Sequence, residues 1–282
     1  MKLRSLCATA MVAAIGATLL VPVGASAAGT THSLDSTGRV IVSAGSLDPN
    51  LPIIDPEKPG EEIDPGGLVP GVDPGQLGIK NVSDLNFGEI NTGRAQINKP
   101  AAAQTVNQLV ANGTPVEVTR GAMVVFGDIR GTNAGYTVQA ELTQQFTSYT
   151  TDGTGAEVLG TATLDGASIS FSNGILETDF DNPATAGTMT NTAFELSIED
   201  TVAGTGGAVE VVRAANGTGA GEYTLEFGQS ASYSQTDANI AVGGVANTAD
   251  KAVVLNVPIA TASSMTAANY KALVTWTIAS LA

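Results

Sequence analysis

Tyr270-Lys-Ala-Leu-Val-Thr-Trp-Thr-Ile-Ala-Ser-Leu-Ala282 decides the fold class of this chain, because it alternates with a period of two and holds the only tryptophan. Tyr270, Ala272, Val274, Trp276 and Ile278 fall on one face; Lys271, Thr275 and Thr277 fall on the other, with Leu273 the apolar exception. That period over this length predicts a half-buried β-strand. Its β-branched and aromatic residues suit a pleated surface. Trp276 has two readings. It is the largest core anchor of an all-β domain, or it is a contact for something outside.

Working outward, the same alternation recurs. Tyr136, Val138, Ala140 and Leu142 alternate with polar neighbours, as do Phe194, Leu196 and Ile198, and Tyr223, Leu225 and Phe227. Each predicts a strand with one wet and one dry face, the antiparallel pattern. Asn112-Gly113, Asp152-Gly153, Asp165-Gly166, Asn173-Gly174 and Asn216-Gly217 supply residues that accept the positive φ of tight turns. The expected fold is therefore all-β, an antiparallel sandwich or barrel-like single domain of many short strands. Short helices are expected only at 98–111 and 261–269, with one turn over Thr266–Asn269.

The beginning of the chain reads differently. Lys2 and Arg4, the apolar run Leu6–Leu20 and Ala25-Ser26-Ala27 predict a signal peptide over residues 1–28. Cys7 would leave with it, so the exported chain would have no cysteine and no disulfide. Residues 29–75 are expected to be a disordered acidic Pro/Gly-rich leader. Asp48-Pro49, Asp55-Pro56, Asp64-Pro65 and Asp73-Pro74 recur in it, and from Leu47 to Gly75 seven acids meet a single Lys58. Residues 76–282 would then be the folded domain. Removing Lys2 and Arg4 leaves ten basic against twenty-seven acidic residues, a net charge of −17. Such a surface repels nucleic acid and anionic lipid. No further membrane span is expected after signal cleavage.

Two segments resemble the WxL domain of Gram-positive surface proteins. Tyr270, Val274, Thr275, Trp276 and Ile278 look like its distal motif, approached through Leu255-Asn-Val-Pro-Ile-Ala260. Val125-Phe-Gly-Asp-Ile-Arg-Gly-Thr-Asn-Ala-Gly-Tyr-Thr-Val138 looks like its proximal segment, through Asp128, Arg130, Gly131, Gly135 and Val138. Tyr136 stands where the family most often has tryptophan. Val82, Leu85, Phe87 and Gly88 resemble the way such domains begin. The resemblance implies a secreted protein, held non-covalently at the cell surface on peptidoglycan or an associated wall polymer. It also implies a possible partner, a membrane-anchored surface protein with Ig-like domains. The chain has no Leu-Pro-x-Thr-Gly sorting signal, which agrees with non-covalent attachment. A self-assembling adhesive subunit and a glycan-capturing protein remain as alternatives.

Catalysis is not expected. His32 is the only histidine and sits in a polar N-terminal stretch, so a serine nucleophile has no base. No Gly-x-Ser-x-Gly elbow or phosphate-cradling glycine motif is present, and zinc has no ligand set. No cofactor is expected and no metal ligand set is identified; the aspartate-rich turns lack a calcium-loop pattern, and calcium binding is left open. Glu141, Glu195, Glu199 and Glu226 are read as solvated strand positions, not as a glycosidase pair. Arg130 is expected to pair with a nearby carboxylate, or to meet an acidic group on a partner.

Overall fold

β-Branched and aromatic residues at alternate positions favour pleated backbone, and the chain follows that preference almost throughout. The computed structural model describes residues 37–110, 113–178, 186–198, 206–234 and 243–281. In chain order the first strands are β1 (Ile53–Ile54), β2 (Glu62–Asp64), β3 (Val69–Pro70), β4 (Leu77–Val82), β5 (Ile97–Pro100) and β6 (Gln104–Leu109). Next come β7 (Val116–Arg120), β8 (Ala122–Asp128), β9 (Tyr136–Thr151), β10 (Glu157–Thr163), β11 (Ser168–Phe171) and β12 (Gly174–Thr178). The last are β13 (Thr188–Met189), β14 (Phe194–Ser197), β15 (Val209–Ala214), β16 (Gly221–Phe227), β17 (Val253–Val257) and β18 (Asn269–Ser280), with one short helix, α1 (Ile259–Ser264), before β18. All belong to the second of two contact units, Val42–Ala282.

Four small antiparallel sheets result. Their orders are β1-β2-β6-β7, β12-β16-β8-β4-β3, β14-β11-β17-β5 and β10-β9-β15-β13. β18 joins the fourth sheet through β9. Val138 of β9 is opposite Val212 of β15 and also opposite Ile278 of β18, so those two strands flank β9 on opposite edges. The all-β expectation holds. Its predicted turns do varied work. Asp152 closes the β9–β10 hairpin by accepting from the Thr154 and Ala156 amides, whereas Asn173 (φ 53°) carries the chain from one sheet to another.

The leader expectation fails from Leu47 onward. Leu47, Ile53, Ile54, Ile63 and Leu68 are buried, and the segment supplies three strands. Ile53, Ile63 and Leu68 pack with Val106, Met123 and Val125 in a second core on the outer face of β8. The reason lies in charges from later in the sequence. Arg120, buried, donates from Nε and Nη2 to the two oxygens of buried Asp55 at 2.8 and 2.5 Å. Its Nη1 lies 3.5 Å from Glu57, which also accepts from the Ser230 amide and hydroxyl. Buried Lys80 donates to Glu222 (2.7 Å) and to the Pro52 carbonyl (3.1 Å). Local counting saw seven unpaired acids; the fold pairs the buried ones with distant cations.

This covering layer corrects a second expectation. Tyr223, Leu225 and Phe227 were expected to alternate with a wet face, yet Thr224 and Glu226 are also fully buried. The Thr224 hydroxyl donates to the Ile54 carbonyl at 3.0 Å. Glu226 lies beneath the covering segment, where one oxygen accepts from the Gly121 amide at 2.7 Å. The other has no hydrogen-bond partner among the described residues. Burial, and then the charge of Glu57, push its carboxyl well above the usual carboxylate range. Glu195 is exposed and Glu141 half-buried, as strand alternation allows.

The helix expectations also shift. Residues 98–111 hold β5 and β6, because Val106 and Gln108 face inward while Thr105 and Asn107 face water, a period of two. The helix near 261–269 is α1, which begins two residues earlier and is shorter, and Thr266–Asn269 adds no turn to it. The segment expected to be a signal peptide, His32, Asn112 and Glu199 lie outside the described residues.

Two outcomes follow from the buried cluster. Arg120→Met strands two buried carboxylates and should cost about 3–5 kcal/mol in urea unfolding, with earlier proteolysis inside residues 47–75. Glu226→Gln should act oppositely. The raised carboxyl contributes stability that is fully present below its unfolded value and is lost as pH rises through its folded value. Glutamine cannot ionise, so the melting-temperature gain over wild type should be largest at neutral and alkaline pH and vanish below pH about 4.

Candidate functional site

The two motif segments meet in the fourth sheet. Val274, Trp276 and Ile278 of β18 lie directly opposite Leu142, Ala140 and Val138 of β9, and Ser280 lies opposite Tyr136. Opposed residues in an antiparallel pair share a face, so Tyr136, Val138, Val274, Trp276 and Ile278 all point to the core side. Small Ala140 across from Trp276 leaves room for the indole.

Sharing a face does not bring the two motif aromatics together. Trp276 stacks with Phe227 at 6.2 Å and meets Phe171 and Phe194 edge-on at 6.0 and 6.5 Å. Tyr136 instead meets Phe126 and Tyr223 edge-on at 5.9 and 6.4 Å. Each motif therefore anchors its own ring cluster. Tyr136 is fully buried, and its hydroxyl makes no hydrogen bond among the described residues. Burial pushes that hydroxyl above its ordinary range. Trp276 is half-buried, and with Val274 it lines an open groove beside β3 and β4.

Asp128, Arg130, Gly131 and Gly135 form the hinge between sheets. Arg130 donates to Asp128 from Nε (2.9 Å) and Nη2 (2.6 Å), the bidentate pair the sequence suggested. Burial alone would push the Asp128 carboxyl up; the Arg130 hydrogen bonds and charge outweigh it and hold the carboxyl below its usual range. Arg130 Nη1 also donates to the Ser280 hydroxyl at 2.7 Å, and Nη2 to the Gly135 carbonyl at 3.3 Å. One guanidinium thus ties the end of β8 to the end of β18. Gly131 has φ 72°. Gly135, at φ 76°, passes so close to the Ala214 carbonyl that a Cβ would sit 2.5 Å from its oxygen.

The outward face of the same sheet is polar. Thr275 lies opposite Glu141 and Thr277 opposite Gln139, and the Thr275 and Thr143 hydroxyls are 2.8 Å apart. Lys271 pairs with Glu157 and stands 5.7 Å over the Tyr149 ring. Leu273, the exception in the alternation, points outward and is 53 % exposed. Tyr270 is fixed through its hydroxyl, which donates to the Thr266 carbonyl at 2.9 Å. Among the described residues, no cluster of three or more His, Cys, Asp or Glu is placed to hold a metal ion, and no helix is long and apolar enough to cross a membrane.

Sequence reading placed every motif residue on a strand or turn of this sheet system, but it missed the buried acid cluster around Arg120. A signal for that layer was present. Ala122-Met-Val-Val-Phe126 is a continuous apolar run, the pattern of a strand covered on both faces.

The family model for the WxL domain, described as surface cell wall-binding, matches residues 29–281. Its span takes in residues 29–75, which sequence reading had set apart as a leader. No curated protein and no solved structure matches the chain at a significant level.

Removing the stranded hydroxyl in Tyr136→Phe should leave stability unchanged or raise it by about 1 kcal/mol in thermal or urea unfolding. Arg130→Lys loses the bidentate fork and the reach to Ser280, so it should lower stability by about 1–2 kcal/mol.

Proposed function

This chain belongs to the WxL family, a surface cell wall-binding domain, and from that premise we propose that it is exported and held non-covalently on the peptidoglycan of a Gram-positive cell. There it joins a surface complex with a membrane-anchored partner. The observation that carries the attachment reading is the division of labour across β18. The Thr-Trp-Thr centre of the distal motif sends Trp276 toward the core and Thr275 and Thr277 toward solvent. A wall polymer meets the chain from the solvent side, so the threonines supply contact and the tryptophan supplies shape.

Hydroxyl and amide groups on the outward face, from Thr137, Gln139, Thr143, Thr275 and Thr277, form a hydrogen-bonding surface suited to a glycan chain. Tyr136, sealed in the core, takes no part in contact; this agrees with its tolerance of a phenol where the family most often has an indole. The reading is of a binding protein, not an enzyme. Glu226, among the described residues the one carboxyl raised well above its usual range, is buried beneath residues 47–75.

Sedimentation with purified sacculi stripped of proteins and teichoic acids tests this. Wild type should pellet and resist release by high salt. Thr275→Ala/Thr277→Ala should weaken pelleting by about tenfold with an unchanged melting temperature, whereas Trp276→Ala should lose pelleting and melting temperature together. Wild type left in solution would move attachment to another polymer or to a protein partner.

A further inference from the structure

Three features have no role in wall attachment as proposed above, and they fit one another. The first is an open strand edge. β18 is paired only to β9, and no other strand hydrogen-bonds along Asn269–Ser280 among the described residues. Its far edge carries a row of peptide groups that no strand among the described residues pairs.

The second is a groove along that edge. Val69, Pro70, Ile79 and Val82 form one bank, and Val274 and Trp276 the other. The groove shares Val69, Val82, Val274 and Trp276 with a larger cavity of about 1350 Å³ beneath residues 83–92. The two are therefore continuous. Asp84 and Glu89 stand in the wall of the larger cavity.

The third is a strand without a sheet. Residues 37–46 are exposed throughout and adopt no regular structure. At their centre Val40, Ile41 and Val42 are 85, 93 and 86 % exposed. Three successive β-branched apolar residues favour pleated backbone and gain from being removed from water. Arg39 is the only charge among residues 37–47. It complements the acidic residues of the cavity wall in a chain that is otherwise strongly acidic.

We propose that a second copy of this chain lays its Arg39–Val42 segment along the free edge of β18. Backbone pairing supplies the affinity, Ile41 enters the groove, and Arg39, on the same face of the strand, approaches Asp84 and Glu89. The contact is heterologous, since one copy gives a strand and the other gives an edge. Each bound copy still offers its own edge, so the contact can repeat from copy to copy. The polar outward face of the fourth sheet stays uncovered, and wall attachment and assembly use different surfaces.

Sedimentation velocity of the chain as recovered from secreting cells, across a wide concentration range, tests the proposal. Wild type should give a concentration-dependent series of multiples of the monomer mass. Val40→Pro/Ile41→Pro removes successive backbone donors, so at least one lost N–H faces β18 in any register. Both positions are exposed, so the melting temperature should not change. Association should weaken by on the order of tenfold or more, and a Thr37–Leu47 peptide should dissolve wild-type multimers. A monomeric wild type, or a double-proline variant that assembles like wild type, would overturn the proposal. So would hydrogen-exchange protection of β18 in a wild-type monomer that the variant loses, because that result places the segment on its own chain. Sacculus pelleting of the variant reads wall attachment separately and should be retained.

Discussion

Arg120 is buried against Asp55 and Glu57, and the architecture depends on that pairing. An isolated buried guanidinium or carboxylate is prohibitively costly, so the three groups must be brought together or left in water. Bringing them together draws residues 47–75 onto the second sheet. The same act seals the outer face of β8 and β16, gives Met123 and Val125 an apolar covering, and encloses Glu226. A stretch whose composition suits a solvated linker thus becomes the outer layer of a sheet covered on both sides. Lys80 and Asn81 reinforce the arrangement by donating to the carbonyls of Pro52 and Pro49.

A second fixed point lies at the other end of β8. Asp128 and Arg130 turn the chain from the second sheet into the fourth, and the same guanidinium reaches Ser280 at the end of β18. The proximal and distal motifs are far apart in sequence but mechanically joined. Their aromatic members then work in separate ring clusters, Tyr136 with Phe126 and Tyr223, Trp276 with Phe171, Phe194 and Phe227. The Asp128–Arg130 turn of the proximal motif therefore fixes where the second and fourth sheets meet.

That division gives β18 three different environments. Its core side is held by rings, its outward side presents threonines, and its free edge opens on an apolar groove. The outward side chains and the edge peptide groups of such a strand point in perpendicular directions, so a contact on one leaves the other open.

Sequence alone determined the class of fold, the strands around Tyr136–Leu142 and Tyr270–Ile278, the Asp128–Arg130 pair, and the family. Each rests on local periodicity or on neighbours within a few residues. Tertiary structure alone decided which acids are buried, since Asp55 meets Arg120 across 65 positions and no local count of charge reports such a partner. It also decided that Glu226 is dry, that residues 104–109 form a strand, and that Tyr136 and Trp276 share a face without touching. The physical reason is the same in each case. Alternation tells a strand which side differs from the other, but only the packing of a distant segment decides whether the second side faces water.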